Sequence, residues 1–412
     1  MEQKTKKLGR ATLLILLCWL VYTSSYIGKL SYNANMQQIG LYYGVSYSQT
    51  GIVATFFFFA YGAGQIFSGM FCKRYNIKYV IAGSLLVASL MNVLAVNMPS
   101  FGTIKYLWLI DGFAMSFLWA TLIRLLSETL QEKDINRAVM IMGTTTSVGT
   151  FISYGLCAGL AVFGAFRWTF YIAAIVLTGV ALLWFVSFDR LVTPLREAVK
   201  EETKTASTPS VAAGGKKKGR LLPLLCVLAV FAVVNNLVRE GLTSWTPDIL
   251  SALYDTPGWM SILLTLLLPL LSVGGVLVSV NLFKRLNNFI AACTVLFMVA
   301  TVFVAAVLGL LSTALIPVIV GCLALVSCMM AGVNNVITSI TPLRLKEYGD
   351  SGKLAGLLNG FCYVGSTLST YGLGLVADNW GWKSVFVLLL GASFGVTLLG
   401  GGTLLVKRLR KG

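Results

Sequence analysis

Apolar runs long enough to cross a bilayer, about 20 residues each, recur near 11–34, 48–71, 79–98, 103–127, 138–164, 168–188, 221–250, 259–283, 289–310, 313–340, 354–376 and 384–406. Twelve such runs predict an all-α integral membrane protein. Charged residues are only 11% of the chain and hydrophobic ones 57%, whereas a soluble domain carries about 25% charged residues. Between the fifth and sixth runs, Gly164-Ala165-Phe166-Arg167 predicts a turn rather than one long helix.

The net charge of +17 would suit a nucleic-acid partner, but the positions of the basic residues point to the bilayer instead. With the N-terminus inside, 26 of the 32 Lys and Arg fall on the cytoplasmic side, eight of them in 190–220. The outer side keeps Lys105, Arg167 and Lys383. This is the positive-inside bias, and it predicts a multi-pass protein of the plasma (inner) membrane with both termini cytoplasmic and no nucleic-acid partner. A monomer is expected. The eight cysteines sit in or at the ends of apolar runs, which gives no support to a disulfide framework. With no histidine and no CxxC, neither a metal site nor another cofactor is expected. The basic, apolar N-terminus lacks a small-residue cleavage site, so it reads as a retained helix rather than a signal peptide.

The longest hydrophilic stretch, 189–220, holds Pro194, Pro209, Gly214-Gly215 and Lys216-Lys217-Lys218, and reads as a cytoplasmic linker. It divides the chain into an N-terminal half, 1–188, and a C-terminal half, 221–412. The halves repeat weakly. Gly64 lies nine residues before Lys73-Arg74-Tyr75-Asn76, and Gly275 nine before Lys284-Arg285-Leu286-Asn287, an offset of 211. At an offset of 216, Arg137 meets Lys353, Val148-Gly149 meets Val364-Gly365, Ser153 meets Ser369, Arg167 meets Lys383 and Phe170 meets Phe386. Six spans per half predict two pseudo-symmetric bundles with a substrate site between them near the midplane.

An ionisable side chain in hydrocarbon is costly, so each one is a functional candidate. Lys29 lies 18 residues after Ala11 and Arg239 lies 18 after Leu221, which puts a cation at the same depth of spans 1 and 7. Snorkelling to the outer interface is the competing account, although Ser31, Asn33 and Asn35, and Thr243 and Ser244, continue the polar character beyond both cations. Tyr22, Tyr26 and Lys29, spaced i, i+4, i+7, share a stripe; Asn235-Asn236 precede Arg239, and Trp245-Thr246-Pro247 follow it. Tyrosines often only pack between helices, but a stripe ending in a cation suits the wall of an anion site. Arg124 has Glu128 four residues on, so a structural ion pair competes with a ligand role. Asp111, Glu128 and Glu240 are the intramembrane acids, with Asp111 and Glu240 the possible proton carriers; Glu240 adjoins Arg239 but points about 100° away on a helix.

These residues resemble the major facilitator superfamily and, within it, the organophosphate:phosphate antiporter family. The loop after span 2 is similar to the superfamily's Gly-x-x-x-Asp-Arg-x-Gly in Gly69, Arg74 and Lys78, with Lys73 in place of the Asp and Asn76 in place of the second Gly. Tyr22, Tyr26 and Lys29 stand where the antiporters have two tyrosines and a first phosphate-binding arginine. Ala60-Tyr61-Gly62 resembles their helix 2 motif, and Arg239-Glu240-Gly241 before Trp245-Thr246-Pro247 resembles their helix 7 pattern, with Arg239 at the second phosphate-binding arginine. Trp119 and Tyr363 match positions lining the family's cavity. Gln65 and Leu30 replace lysines, and Thr146 stands where a histidine is expected, so the pocket is less positive than the family's.

The resemblance implies a secondary transporter of a small organic anion, an organophosphate exchanged for inorganic phosphate by alternating access. The expected substrate-binding residues are Lys29, Arg239, Tyr22, Tyr26, Tyr61, Gln65, Trp119, Arg124, Asn236 and Tyr363. Proton-coupled symport of a carboxylate or acidic sugar through Glu240 or Asp111 is the alternative, and a transporter-like ligand sensor a further one. An enzyme would need a clustered nucleophile, base or metal set, which a chain without histidine and with few acids does not offer.

Overall fold

The computed structural model describes residues 2–71, 75–130, 132–205, 222–345 and 351–409. Their elements are helical: α1 (Glu2–Ala34), α2 (Met36–Tyr43), α3 (Tyr47–Phe71), α4 (Ile77–Asn97), α5 (Phe101–Thr129), α6 (Glu132–Gly143), α7 (Thr145–Ala161), α8 (Arg167–Thr205), α9 (Leu222–Tyr254), α10 (Gly258–Thr265), α11 (Leu267–Leu286), α12 (Phe289–Leu310), α13 (Ile316–Asn335), a π-helical turn (Val336–Ile340), α14 (Thr341–Arg344) and α15 (Ser351–Leu409). Among the described residues, ten stretches are long and apolar enough to cross a bilayer. The broken pair α6–α7 supplies another span, and Gly381, at φ 76° and ψ 169°, divides α15 into two. The total is the twelve spans expected. Gly164 takes the left-handed conformation, φ 65°, in the turn between α7 and α8, which glycine enters without strain.

The helices form two bundles. In the first, α1 packs on α7 and α8, α3 on α5, and α4 on α5 and α8. In the second, α9 packs on α13 and α15, α11 on α13, and α12 on α13 and α15. The repeated glycines do equivalent work in each. A Cβ at Gly64 would strike Ser116 of α5, and one at Gly275 would strike the Cys328 carbonyl of α13. A Cβ at Gly149 would come within 2.6 Å of Tyr26 Cβ on α1, and one at Gly365 would strike the Val233 carbonyl of α9. Small residues let membrane helices approach closely, so these pairs explain why the offsets survive where most side chains differ.

Two details depart from the sequence reading. Helix α8 continues through Thr205 with Pro194 inside it, so the stretch taken as a linker from 189 begins as helix; Pro209, Gly214-Gly215 and the lysine triplet lie outside the described residues, as do Lys73 and Arg74. The asparagines of the repeat also divide their roles. Asn76 caps α4, accepting the Lys78 N–H at 3.0 Å, whereas its match at offset 211, Asn287, is the left-handed C-cap of α11. The equivalent cap of α12 is Asn288, which accepts from the N–H groups of Ile290 and Ala291.

The bundles meet most firmly at the end remote from where α1 begins, here the far end. Asp378, near the end of the first half of α15, accepts the backbone N–H groups of Tyr47 (3.0 Å) and Ser48 (2.8 Å) at the start of α3. Thr55 of α3 donates to the Thr367 carbonyl and bonds Thr370. Asn33 Nδ2 donates to Ser244 Oγ at 3.1 Å, and the Tyr154 hydroxyl to the Thr243 carbonyl at 3.0 Å. Leu30, Ala34, Tyr154, Cys157 and Ala158 of the first bundle close an apolar cluster with Ile262 and Leu266 of the second. At the opposite end α6 and α14 pack chiefly within their own bundles, although α3 and α15 stay joined down to Asn359, which donates to Gln65.

Candidate substrate chamber between the bundles

One turn inside the Asn33–Ser244 contact, the Lys29 ammonium sits among five rings. Its Nζ is 5.0 Å from the Tyr61 ring centre, 5.3 Å from Tyr26, 5.4 Å from Phe58, 5.7 Å from Phe57 and 5.9 Å from Tyr363. The ring faces stabilise a partly dehydrated cation. This surrounding places the ammonium inside the protein and removes snorkelling to the interface as its explanation. Tyr363 belongs to the second bundle, and its ring lies 4.9 Å from Tyr61. A Cβ at Gly62 would come within 2.7 Å of Tyr363 Cβ, so glycine there is what lets α3 and α15 bring those two tyrosines together.

The wall continues toward the terminal end. Tyr22 shares a hydrogen bond with the Tyr61 hydroxyl at 3.4 Å, packs edge-on to Tyr26 at 5.6 Å and lies 4.7 Å from the Trp119 ring. Thr146, at the position where the resemblance leads one to expect histidine, donates to the Tyr26 hydroxyl at 3.2 Å. Lys29, Tyr22, Tyr26, Tyr61, Trp119 and Tyr363 therefore form one assembly. Phe57 and Phe58 belong to it as well; as ordinary apolar residues of a span they carry no sequence signal of their own.

On α9 the residues Asn236, Arg239, Glu240 and Thr243 follow i, i+3, i+4, i+7 and share a face. Arg239 and Glu240 both keep partial exposure, while Val238, Gly241 and Leu242 around them are buried. Ser244, one turn after Glu240, meets the first bundle through Asn33, which sets Glu240 beside the space between the bundles; Arg239 lies about 100° round the helix from it, and Asn236 packs within its own bundle. Among the described residues no carboxylate lies within ion-pair distance of Lys29 or Arg239, and Glu240 pairs with neither.

Other expected site residues are placed differently. Arg124 is bound to Glu128 (Nε–Oε1 2.6 Å), and Glu128 also holds Arg196 at 2.9 Å. The i, i+4 spacing on α5 makes the first contact, and the convergence of α8 makes the second, so Arg124 is part of an ion-pair network. Asn236 is committed to the packing of the second bundle, accepting from Asn235 and donating to Ser366. Gln65 is a bridge to Asn359. Asp111 is fully buried in α5, and neither of its oxygens has a hydrogen-bond partner among the described residues; it lies close enough to Lys29 to feel that charge without forming an ion pair. Trp245 and Pro247 are buried in the far-end packing, where Trp245 lies 5.6 Å from Trp382.

Asp248 is an intramembrane acid that the sequence reading passed over. It is 2% exposed, and its Oδ2 has no hydrogen-bond partner among the described residues. The available signal was its place after Pro247 within the seventh apolar run; its nearness to the run's end hid it.

Twelve spans in two glycine-matched bundles, with cations on spans 1 and 7 that make no ion pair among the described residues, define a multi-pass membrane protein of the carrier type. The Major Facilitator Superfamily model matches residues 18–370, and the chain belongs to that family. It is 22% identical over 405 residues to a probable hexose phosphate transport protein of Chlamydia pneumoniae, covering 92% of this chain and 88% of that one. It is 22% identical over 399 residues to the membrane sensor protein UhpC of Escherichia coli (strain K12), covering 91% and 88%, and 24% identical over 371 residues to the glycerol-3-phosphate transporter of Bacillus subtilis (strain 168), covering 84% and 82%. Among solved structures, a bacterial homolog of the human lysosomal transporter Spinster, inward-facing and occupied, aligns with a TM-score of 0.75 at 15% identity, covering 95% and 97%. A D-xylose-proton symporter aligns at 0.69 and 10% identity, covering 94% and 96%. These relatives and neighbours are transporters and a sensor, not enzymes.

Proposed function

We propose that this protein is a secondary transporter of a small organophosphate, exchanging it for inorganic phosphate by alternating access. The observation that carries the reading is the pair Lys29 and Arg239, partly exposed cations on spans 1 and 7 that make no ion pair among the described residues. A phosphoryl group would take charge-assisted hydrogen bonds from both, and the tyrosine hydroxyls around Lys29 would supply further contacts. The relatives that carry hexose phosphate or glycerol 3-phosphate support the substrate class.

The positive-inside bias favours a cytoplasmic terminal end, in the plasma (inner) membrane. On this reading the hydrogen-bonded far end is the outer face, and its contacts support an inward-facing arrangement. Unit cations about 10 Å apart repel by roughly 1.7 kcal/mol at an effective dielectric near 20. A bound phosphate cancels such repulsion, which ties the movement of the bundles to loading and favours exchange over net flux.

Counterflow in proteoliposomes tests the reading. Labelled phosphate should leave loaded vesicles slowly into anion-free buffer and rapidly when phosphate is present outside. Efflux at one rate under both conditions would overturn exchange. The unpaired Glu240 favours a second reading, proton-coupled symport, which predicts net uptake driven by an inward pH gradient without internal counter-anion. A ligand sensor would bind phosphate without turnover.

A further inference from the structure

We infer that the transported molecule is zwitterionic, a phosphorylated amine whose phosphoryl group is held by Lys29 and Arg239 and whose ammonium group is received by Glu240. The inference rests on the proposed organophosphate transport and names the substrate class for the same chamber.

Glu240 is the feature that an anion site does not require. An ionised carboxylate within a membrane span needs a compensating partner, yet Glu240 makes no ion pair or hydrogen bond among the described residues, even with Arg239 beside it. Its exposure does not open to lipid. It lies on the α9 face whose next turn is fastened to α1 and α7, through Asn33–Ser244 and Tyr154–Thr243, so the carboxylate looks into the chamber.

The repeat sharpens its position. Asn33 and Ser244 touch across the bundles at a separation of 211 residues, the offset that also relates Gly64 to Gly275. At this offset the counterpart of Lys29 is Glu240. Equivalent places on spans 1 and 7, one turn inside the contact, thus carry opposite charges. A purely anionic ligand would gain from Lys29 and Arg239 and be repelled by Glu240; a ligand with charges of both signs satisfies all three. Asp111 and Asp248 are 0% and 2% exposed, and Asp111 lies near Lys29, so of these three acids Glu240 is the one left partly exposed to a ligand.

The test uses the full-length protein in phosphate-loaded proteoliposomes and reads competition against exchange of labelled phosphate. Two matched pairs serve as probes: glucosamine 6-phosphate against glucose 6-phosphate, and phosphoethanolamine against glycerol 3-phosphate. The expected result is that at least one amine-bearing probe competes tenfold or more better than its partner. Glu240→Asp should keep that ratio and Glu240→Gln should bring it to about one. Thermal-shift titrations of the detergent-solubilised variants with the same four compounds give the ratio even if a variant does not transport. Equal competition within both pairs, or a ratio unchanged in Glu240→Gln, overturns the inference while leaving organophosphate transport standing. Glu240→Gln weakening all four compounds alike would also overturn it and assign Glu240 to proton carriage or packing. Absence of phosphate exchange and of binding by any of the four in the parent protein removes the proposed function, and this inference with it.

Discussion

Replacing Asp378 with alanine removes a carboxylate that holds the start of α3 to the second bundle. It accepts two backbone N–H groups, from Tyr47 and Ser48, at 3.0 and 2.8 Å, in the position where a helix N-terminus favours negative charge. Hydrogen bonds to a charged group are worth about 1.5–3 kcal/mol when well shielded. Asp378 is exposed, and screening by solvent reduces each to an estimated ~0.5–1 kcal/mol. Losing both should therefore cost the far-end-closed arrangement about 1–2 kcal/mol, a shift of about 5- to 30-fold in the equilibrium between closed and open. Amide hydrogen exchange followed by mass spectrometry reads the change directly. Peptides covering 45–55, 30–36 and 241–247 should all exchange faster in Asp378→Ala, because the Asn33–Ser244 contact opens with the same movement. Faster exchange confined to the first turn of α3 would mean that Asp378 is only a local cap. Unchanged exchange in all three peptides would refute the reasoning altogether.

Lys29→Gln and Arg239→Gln each remove a charge-assisted contact of about 1.5–3 kcal/mol, so phosphate binding measured by thermal-shift titration should weaken by about 10- to 150-fold, with Lys29→Arg losing less. Arg124→Gln should lower the melting temperature in detergent without weakening phosphate binding, since its partner is Glu128; Arg124→Gln with Glu128→Gln should recover part of that loss, and a selective loss of affinity would return Arg124 to the chamber. Asn288→Ala should cost about 1 kcal/mol as a lost helix cap, seen as a lower melting temperature with transport retained.

The spans were legible because twelve long apolar runs have no other stable use, and the repeat because glycines at helix crossings tolerate little substitution. The beginning of the linker was not. Pro194 and the nearby charges have the composition of a linker, but beyond the membrane α8 can expose them to water and continue as helix. Arg124 could be read from its i, i+4 partner, which is local, whereas the arrival of Arg196 at the same carboxylate is tertiary. The enclosure of Lys29 was only half readable: Tyr26 is on its own helix, while Phe57, Phe58, Tyr61 and Tyr363 arrive through the crossings of α3 and α15. Taken as an isolated helix, α9 set Arg239 and Glu240 about 100° apart; only the cross-bundle contact of Ser244, one turn on, shows that Glu240 borders the first bundle.

Tyr363 flanks a lysine that belongs to the other bundle. The enclosure of that lysine is thus shared property, complete only while α3 and α15 stand as they do here. On an alternating-access cycle, any sliding or separation of those helices would withdraw one ring and let water reach the ammonium. The same residues would then offer a ligand a drier cation on one side of the membrane and a wetter one on the other. Dissociation constants measured from the two faces of an oriented vesicle should accordingly be unequal, a built-in direction that requires no change of sequence and no second site.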